Sequence, residues 1–294
     1  MKTGVIGMGA MGRGMARNLH QAGLLAAVWN RTAERAEAIG AELGVTVAAD
    51  PAELARGCDV ILTCVSRDED VLAVMEAMAP GLASGKTVVD SSTVAMATAK
   101  KAAARLAASG VEFLDAPVSG GKEGADNGQL VFMVGGDGER FEAVRSIFNA
   151  MGKSATHMGA VGAGQATKAV NQIMVAGINQ AVTEALAFGE ASGLDMDKVI
   201  DVVGGGAAGN WFLKMRGPTM VRGTFDPGFK LGLHHKDLEI CREMLDNMNV
   251  ALPVVEMTVK HYERLMEAGY SDEDISALYR DKRELFRTGN KRSL

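Results

Sequence analysis

Residues 3–12 read Thr-Gly-Val-Ile-Gly-Met-Gly-Ala-Met-Gly, a short apolar run that leads into glycines spaced as GxGxxG. A helical stretch follows to about Gly23, and a second apolar run extends from Leu24 to Trp29. Glycines also mark ordinary turns, but the order strand, glycine-rich turn, helix, strand is typical of a dinucleotide-binding unit. We therefore expect this turn to bind a dinucleotide.

The glycines of the turn have distinct predicted roles. Gly7 allows the tight turn, Gly9 lets the backbone approach a pyrophosphate, and Gly12 lets the helix pack on the strand. The N-terminus of the helix then faces the phosphates. The cofactor-binding residues predicted in this turn are Gly7, Met8, Gly9, Ala10, Met11 and Gly12.

The end of the second strand distinguishes two cofactors. Many NAD enzymes place Asp or Glu here, on the ribose 2′-hydroxyl, whereas this chain has Asn30-Arg31-Thr32. Asn30 can bond the ribose without repelling a 2′-phosphate, and Arg31 can pair with that phosphate or stack on adenine. The sequence favours NADP and leaves NAD possible; alternatively, Arg31 is an ordinary surface arginine.

Between about residues 33 and 160, helical stretches alternate with apolar runs such as Val60–Val65 and Leu130–Val134. This alternation predicts a Rossmann-type, doubly wound, mostly parallel sheet with helices on both faces, over residues 1–163. Functional loops should follow the strand ends, as at Val65, which we place near the cofactor. The loops Asp90–Thr93 and Ala116–Lys122 offer hydroxyl and glycine N–H groups suited to a carboxylate, although each could be a plain turn.

A long central helix is predicted from Gln165 to about Ser192. Lys168, Asn171 and Gln172 then share one face. The apolar residues of the helix cover nearly its whole circumference, so we expect protein on all sides of it. Lys168 either extends to water from the first turn or performs acid/base chemistry, since burial and a nearby positive charge can lower a lysine pKa from about 10.4.

The rest of the chain, residues 164–294, is expected to be an all-α domain. Further helices are predicted over Asp195–Val203, Pro218–Val221, Leu231–Met248, Pro253–Ala268 and Asp272–Phe286, with a loop at Gly204–Gly209. His234 and His235 are adjacent, and consecutive side chains on a helix point in different directions. No metal site is therefore expected, and Lys236 and Asp237 form a solvated pair or reach the cofactor.

Composition restricts the class of protein. The 294 residues are 47% hydrophobic, with a net charge of -5 and a pI near 5.6, which argues against nucleic acid or an anionic membrane as the main partner. We expect neither a signal peptide nor a membrane span. Three cysteines without metal-ligand spacing favour a reducing, cytoplasmic location.

Taken together, the motifs resemble those of the β-hydroxyacid dehydrogenase family, which includes 3-hydroxyisobutyrate dehydrogenase, tartronate semialdehyde reductase and glyoxylate/succinic semialdehyde reductases. The resemblance covers essentially the whole chain. It rests on Val5–Gly12, Asp90–Thr93, Asp115–Gly121, Gly162–Gly164 with Lys168 and Asn171, and Lys236–Leu238.

The resemblance implies a function and a role for each matching residue. It implies hydride transfer between the nicotinamide and a small 3-hydroxy acid or semialdehyde acid, without a metal. Lys168 would be the acid/base and Asn171 would orient the substrate, whose carboxylate would lie on Ser119, Gly120 and Gly121. Lys122 and Gln172 would also contact substrate, and Thr93, Phe229 and Lys236 would contact the cofactor or substrate.

Two departures from the family pattern bear on specificity. Gln172 stands where a second asparagine is common, and Lys122-Glu123 follows the Ser-Gly-Gly loop, as in the semialdehyde reductases. We therefore expect NADPH-dependent reduction of a small carboxylated aldehyde, with 3-hydroxyisobutyrate oxidation still open. The alternatives are an imine reductase, which usually lacks the lysine, and a non-catalytic NADP-binding module. The family also implies a homodimer or homotetramer assembled through the helical domain.

Overall fold

The computed structural model describes residues 1–288. The chain forms two compact units, the first from Met1 to Lys168 and the second from Ala169 onward. The predicted boundary lay after residue 163. In the structure the first unit continues to Lys168, because the first turn of the central helix is hydrogen-bonded to the sheet.

The described part of the first unit contains one sheet of nine strands. They are β1 Thr3–Ile6, β2 Leu25–Trp29, β3 Thr46–Val47, β4 Val60–Thr63, β5 Thr87–Asp90, β6 Glu112–Asp115, β7 Val118–Ser119, β8 Leu130–Gly135 and β9 Gly152–Gly159.

The strand order is β3-β2-β1-β4-β5-β6-β8-β7, with β9 also paired to β8. The pairs from β3 through β6 are parallel, as are β8 and β9, whereas β8 runs antiparallel to β6 and β7. This confirms the predicted mostly parallel, Rossmann-type sheet. The carboxyl ends of β1, β4, β5 and β6 therefore meet at one edge, where ligands bind in open α/β sheets.

Helices cover both faces of this sheet. They are α1 Ala10–Gln21, α2 Ala33–Leu43, α3 Pro51–Gly57, α4 Asp68–Met78, α5 Met96–Ala107, α6 Gly121–Asp126, α7 Gly138–Ala143 and α8 Arg145–Met151. Neighbouring strand residues enter different cores: Ile61 packs in one cluster and Leu62 in the other. Both faces are buried because successive side chains alternate across a strand.

The second unit is helical. Helix α9 spans Ala163–Ala191 and begins in the first unit; it is followed by α10 Met196–Gly204, α11 Trp211–Val221, α12 Leu231–Asp246, α13 Pro253–Glu267 and α14 Leu278–Thr288. Its core surrounds the buried rings of Tyr262 and Tyr279. No helix among the described residues has the length and hydropathy required to cross a bilayer.

Two predicted helix starts were wrong. Helix α11 begins at Trp211 rather than Pro218, because Asn210 caps it by accepting the Leu213 N–H at 2.8 Å, and Pro218 lies inside the helix. Helix α14 begins at Leu278 rather than Asp272, because buried Asp274 caps the short 3₁₀ turn Ile275–Ala277 that precedes it.

The predicted complete burial of the central helix was also wrong for the single chain. Val170, Met174 and Phe188 are 59%, 61% and 61% exposed. They lie on the half of α9 that belongs to the second unit. This face is apolar but in contact with solvent, which is typical of a surface that binds another protein.

Candidate active site

The glycine-rich turn joins β1 to α1. Gly7 has φ +104°, and a Cβ there would collide with the carbonyl oxygen of Cys64; a Cβ at Gly12 would collide with that of Gly7. A Cβ at Gly9 would have no protein atom within 4 Å. The first and third glycines are thus required by packing, whereas the second borders open space that a phosphate group can fill.

Beside the turn is a basic cleft, which we define by Met8, Gly9, Ala10, four cationic residues and one acidic residue, Asp126. Its volume is about 500 Å³, and its cations are Arg13, Arg17, Arg35 and Lys122. Helix α1 begins at this cleft, and no side chain of the described residues caps its first turn. Free amides at a helix N-terminus, together with guanidinium groups, fit the pyrophosphate and phosphate groups of a dinucleotide.

Asn30 has a structural role that the sequence analysis did not anticipate. Its Oδ1 accepts the Met8 N–H at 2.8 Å, and its Nδ2 donates to the Thr32 carbonyl at 2.8 Å. Asn30 therefore holds the glycine-rich turn to the end of β2. Thr32 is the N-cap residue of α2.

Arg31 is not an isolated surface arginine. Its Nη1 lies 2.6 Å from Oδ1 of Asp70, in the first turn of α4. The guanidinium is largely exposed and therefore remains accessible to a ligand. Arg35, in the first turn of α2, has no ion pair with a described residue and lies in the basic cleft. Arg35 was missed because the spacing from Asn30 alone does not show that α2 turns it towards the glycines.

Asp90 ends β5 and organises the loop that contains Thr93. Its Oδ1 accepts from the Thr63 hydroxyl and the Ser92 hydroxyl, both at 2.7 Å, and Ser92 Oγ in turn accepts the Val65 N–H at 2.9 Å. Asp90 Oδ2 has no hydrogen-bond partner among the described residues. Complete burial, opposed by these bonds and assisted by the charge of Asp115, raises the pKa of Asp90 to about 6.

The segment Val118–Gly121, which contains β7 and the start of α6, follows β6 and lies beside the predicted catalytic lysine. Gly120 and Gly121 have φ +131° and +61°, values that favour glycine and that turn the chain into α6. Lys168 Nζ donates to the Val118 carbonyl at 2.9 Å, and the residue is 7% exposed. Lys168 does not extend to water. The carbonyl that its ammonium binds belongs to Val118, the residue before Ser119 in the segment predicted to hold the substrate carboxylate.

Lys122 lies elsewhere. Its Nζ pairs with Asp126 Oδ2 at 2.9 Å on the exposed side of α6, and the residue lines the basic cleft. The structure therefore brings Lys122 to the glycine-rich turn. The predicted contact of Lys122 with substrate stays a prediction.

Within the second unit, four polar side chains form a chain of contacts. Asn171 Nδ2 donates to Gln172 Oε1 at 2.8 Å, and Gln172 Nε2 donates to Asp237 Oδ2 at 2.6 Å. Lys236 Nζ lies 2.9 Å from Asp237 Oδ1. Asp237 is buried, so it does not form the solvated pair considered from the sequence. The longer Gln172 side chain reaches this carboxylate, which orients both Asn171 and Lys236.

The adjacent histidines have separate environments. Buried His234 contacts the Tyr262 hydroxyl at 3.0 Å and the Gln172 carbonyl at 3.2 Å, and the predicted cofactor residue Phe229 packs on its ring at 5.4 Å. Near His235, Glu239 and Glu263 complete the only group of the described residues that could converge on a metal ion. Arg242 already pairs with Glu239 at 2.8 Å, and we assign no metal there.

Comparison with known proteins covers both units. A family model described as the NAD binding domain of 6-phosphogluconate dehydrogenase matches residues 2–162. A second, described as NAD-binding of NADP-dependent 3-hydroxyisobutyrate dehydrogenase, matches residues 162–281. The chain belongs to the β-hydroxyacid dehydrogenase family.

Three known proteins illustrate the similarity, each matched over nearly its full length. The 2-hydroxy-3-oxopropionate reductase of Escherichia coli is 36% identical over 280 residues, which are 95% of this chain and 96% of that protein. The structure of Mycobacterium tuberculosis 3-hydroxyisobutyrate dehydrogenase with L-serine has a TM-score of 0.88 at 30% identity, covering 96% of this chain and 99% of that one. A structure of Psf3 with NADP+ and 2-OPP has a TM-score of 0.85 at 26% identity, covering 95% and 99%.

These matches make the protein an NAD(P)-binding oxidoreductase of the dehydrogenase family. They agree with the prediction that the glycine-rich turn binds a dinucleotide. Arg35 is a functional candidate that sequence reasoning did not select, and the contact of Asp237 with Gln172 was not predicted, because both depend on the packing of elements that are distant in the chain.

Proposed function

We propose that this β-hydroxyacid dehydrogenase reduces a small carboxylated aldehyde with NADPH, and that Lys168 donates the proton to the nascent hydroxyl. The observation that supports this most directly is the position of Lys168 Nζ, buried and 2.9 Å from the Val118 carbonyl, at the start of the Ser119–Gly121 loop. A proton donor and a carboxylate-binding loop are thus adjacent. General acid catalysis requires such a group within hydrogen-bond reach of the reacting oxygen.

The cofactor, when bound, supplies the hydride. The residues proposed to hold it are the glycine-rich turn, Val65, Thr93 and the arginines that follow β2. In the second unit, Asn171 is proposed to orient the substrate, and Lys236, fixed by Asp237, to contact the cofactor or substrate. These assignments follow the family resemblance, and the contacts within each unit support them.

NADPH is proposed over NADH because no carboxylate follows β2 at the ribose position. Arg31 and Arg35 both follow this strand, and an Arg–phosphate contact is a strong, charge-assisted interaction. Asp70 holds the Arg31 guanidinium at 2.6 Å, so Arg35 is the more available partner for a 2′-phosphate. We expect Arg35→Ala to raise KM for NADPH at least tenfold while KM for NADH changes little.

The proposed substrates have two to four carbons, one carboxylate and an aldehyde. The M. tuberculosis neighbour was solved with L-serine, itself a three-carbon 3-hydroxy acid, and the E. coli relative is a 2-hydroxy-3-oxopropionate reductase. Oxidation of 3-hydroxyisobutyrate is the second candidate, favoured by the match of the second unit to that dehydrogenase. The imine reductase and binding-module alternatives are disfavoured because a buried lysine beside the substrate loop has no use in either.

The decisive experiment measures NADPH and NADH oxidation with glyoxylate and with succinic, tartronic and methylmalonic semialdehydes, and the reverse reaction with 3-hydroxyisobutyrate. We expect one aldehyde acid to exceed the others in kcat/KM and NADPH to exceed NADH. Turnover only in the oxidative direction would favour the second candidate. Tight NADPH binding without turnover of any compound would contradict the proposed activity.

We further propose that the enzyme is a homodimer or homotetramer assembled through its helical unit. The exposed apolar face formed by Val170, Met174 and Phe188 supports this assignment. Burial of that face against a second copy would remove a large apolar area from water.

A further inference from the structure

We propose that Gln165 is a positioning residue, which holds the loop containing Thr93 at a fixed place relative to the helical turn that presents Lys168. This inference rests on the proposed function, because it concerns the alignment of the proposed proton donor. The roles proposed above for the family motifs do not include Gln165.

The Gln165 side chain bridges the two residues that flank Thr93. Its Nε2 donates to the Ser92 carbonyl at 2.8 Å, and its Oε1 accepts the Val94 N–H at 3.2 Å. The residue is 2% exposed, so water cannot replace either bond. Removal of the amide would leave a buried carbonyl and a buried N–H without partners, which is costly.

The main chain of Gln165 is held independently of its side chain. Asp115 Oδ2 accepts the Gln165 N–H at 2.9 Å, and Asp115 Oδ1 accepts the Gly162 N–H at 2.7 Å. Asp115 ends β6, so its carboxylate caps the first turn of α9 from the sheet. Gln165 therefore has a fixed backbone from which its amide restrains the Thr93 loop.

Lys168 lies three residues after Gln165, less than one turn further along α9. Its Nζ binds the Val118 carbonyl, so α9 is also tied to the predicted substrate loop. A single turn of helix thereby connects the loops that would present the cofactor-side hydroxyl of Thr93 and the substrate carboxylate. Displacements of about 1 Å in such an arrangement can lower the rate about 100-fold.

The opposite side of the Thr93 loop is restrained by Ser92, whose hydroxyl bridges Asp90 and the Val65 N–H. That restraint does not involve α9. Loss of the Gln165 amide should therefore leave the loop folded and the cofactor bound, while the loop becomes free to shift relative to Lys168. This separation makes the inference testable.

The first variant is Gln165→Leu, which removes both hydrogen bonds at similar side-chain volume. We expect kcat to fall roughly 10- to 100-fold, with the NADPH dissociation constant within about threefold of wild type. With 4-deuterated NADPH, the isotope effect on kcat should increase, because misalignment slows the chemical step and not product release.

The matched control is Lys86→Met. Lys86 Nζ donates to the carbonyls of Ala55, Arg56 and Cys58, at the opposite end of the sheet strands. Like Gln165, Lys86 uses its side chain to hydrogen-bond main-chain groups of the first unit. Loss of these bonds should lower the melting temperature without changing kcat. Equal losses of kcat in the two variants would attribute the effect to general destabilisation and overturn the proposal.

The second variant, Gln165→Glu, provides a pH readout. A protonated Glu at this position can restore both bonds, whereas its carboxylate would face the Ser92 carbonyl. Burial should raise the pKa of the new carboxyl. The titratable groups on the surrounding segments, Asp68, Asp90, Lys100, Asp115 and Lys168, are the same in both proteins, so the ratio of variant to wild-type kcat isolates the new group.

We expect this ratio to rise several-fold as the pH falls from about 8 to about 6, and the ratio for Gln165→Leu to stay constant. If wild type is active on the substrate panel and Gln165→Leu retains kcat within twofold with an unchanged isotope effect, the positioning role is wrong and the proposed function stands. If wild type reduces no substrate of the panel, both fail together.

Discussion

Lys168 is the single residue on which the proposed chemistry depends. We expect Lys168→Ala to lower kcat about 10²- to 10⁴-fold, the usual contribution of general acid–base catalysis. Lys168→Arg should be almost as impaired, because a guanidinium does not release its proton near neutral pH. NADPH binding, followed by fluorescence titration, should be within a few-fold of wild type in both. Lys101→Ala, at an exposed lysine on α5, is the control, and near wild-type kcat in Lys168→Ala would contradict the mechanism.

Asp90 is a buried carboxyl whose ionisation opposes folding. Its pKa is raised to about 6 in the native protein, above about 3.9 in the unfolded chain, so the native state holds this proton more tightly. Its contribution to stability is fully present below about pH 4 and is lost as the pH rises through about 6. The loss reaches about 3 kcal/mol.

The variant Asp90→Asn does not titrate and tests this directly. We expect the difference in unfolding free energy between wild type and variant to change across pH 4 to 6, with wild type becoming relatively less stable as the pH rises. Urea unfolding at several pH values measures it. A difference that is independent of pH would show that folding does not raise the pKa of Asp90.

At the scale of elements, Asp274 connects α11, the segment before α12 and the 3₁₀ turn before α14. Its Oδ2 accepts the N–H groups of Gly228 and Phe229, and its Oδ1 accepts from Ser276 and lies 3.3 Å from Arg216 Nε. We expect Asp274→Ala to cost about 3 to 5 kcal/mol, as for a broken buried ion pair. Nearby Asp272 pairs with Lys230 in solvent, and Asp272→Ala should cost less than about 1 kcal/mol. Similar melting temperatures for the two variants would refute this.

The elements differ in how well the sequence predicted them. Continuous apolar runs such as Val60–Val65 predicted the inner strands, because strands buried on both faces are apolar at nearly every position. The edge strand β9 was missed, since most of its side chains are exposed and polar. The start of α11 was misplaced because proline usually marks a helix start, although the capping residue Asn210 was visible in the sequence.

The candidate site was predictable where it is local in the chain. The glycine-rich turn and the Ser119–Gly121 loop were identified because their chemistry lies within a few consecutive residues. The contacts of Asn30 with Met8 and of Gln172 with Asp237 join residues 22 and 65 positions apart. Such partners depend on the tertiary fold, and no periodicity in the sequence identifies them.

At the scale of the whole molecule, the apolar face of α9 predicts self-association. We expect wild type to have the mass of a dimer or tetramer in light scattering, and Phe188→Glu to shift it towards the monomer, because a charge buried in an apolar interface is costly. Met158→Glu, on the exposed strand β9, is the control and should keep the wild-type mass. A monomeric wild type would exclude this assembly.

Because the space at Gly9 is open, a substitution there can abolish cofactor binding in a living cell while the protein still folds. Gly9 has φ -76° and ψ -166°, which any residue can adopt, and no protein atom lies within 4 Å of a Cβ placed there. We therefore expect the Gly9→Val protein to fold and assemble as wild type does but not to bind NADP(H). A melting temperature equal to that of wild type, together with no fluorescence signal from bound NADPH, would verify this. Comparison of the Gly9→Val allele with a deletion would then distinguish the effects of lost turnover from those of a missing protein.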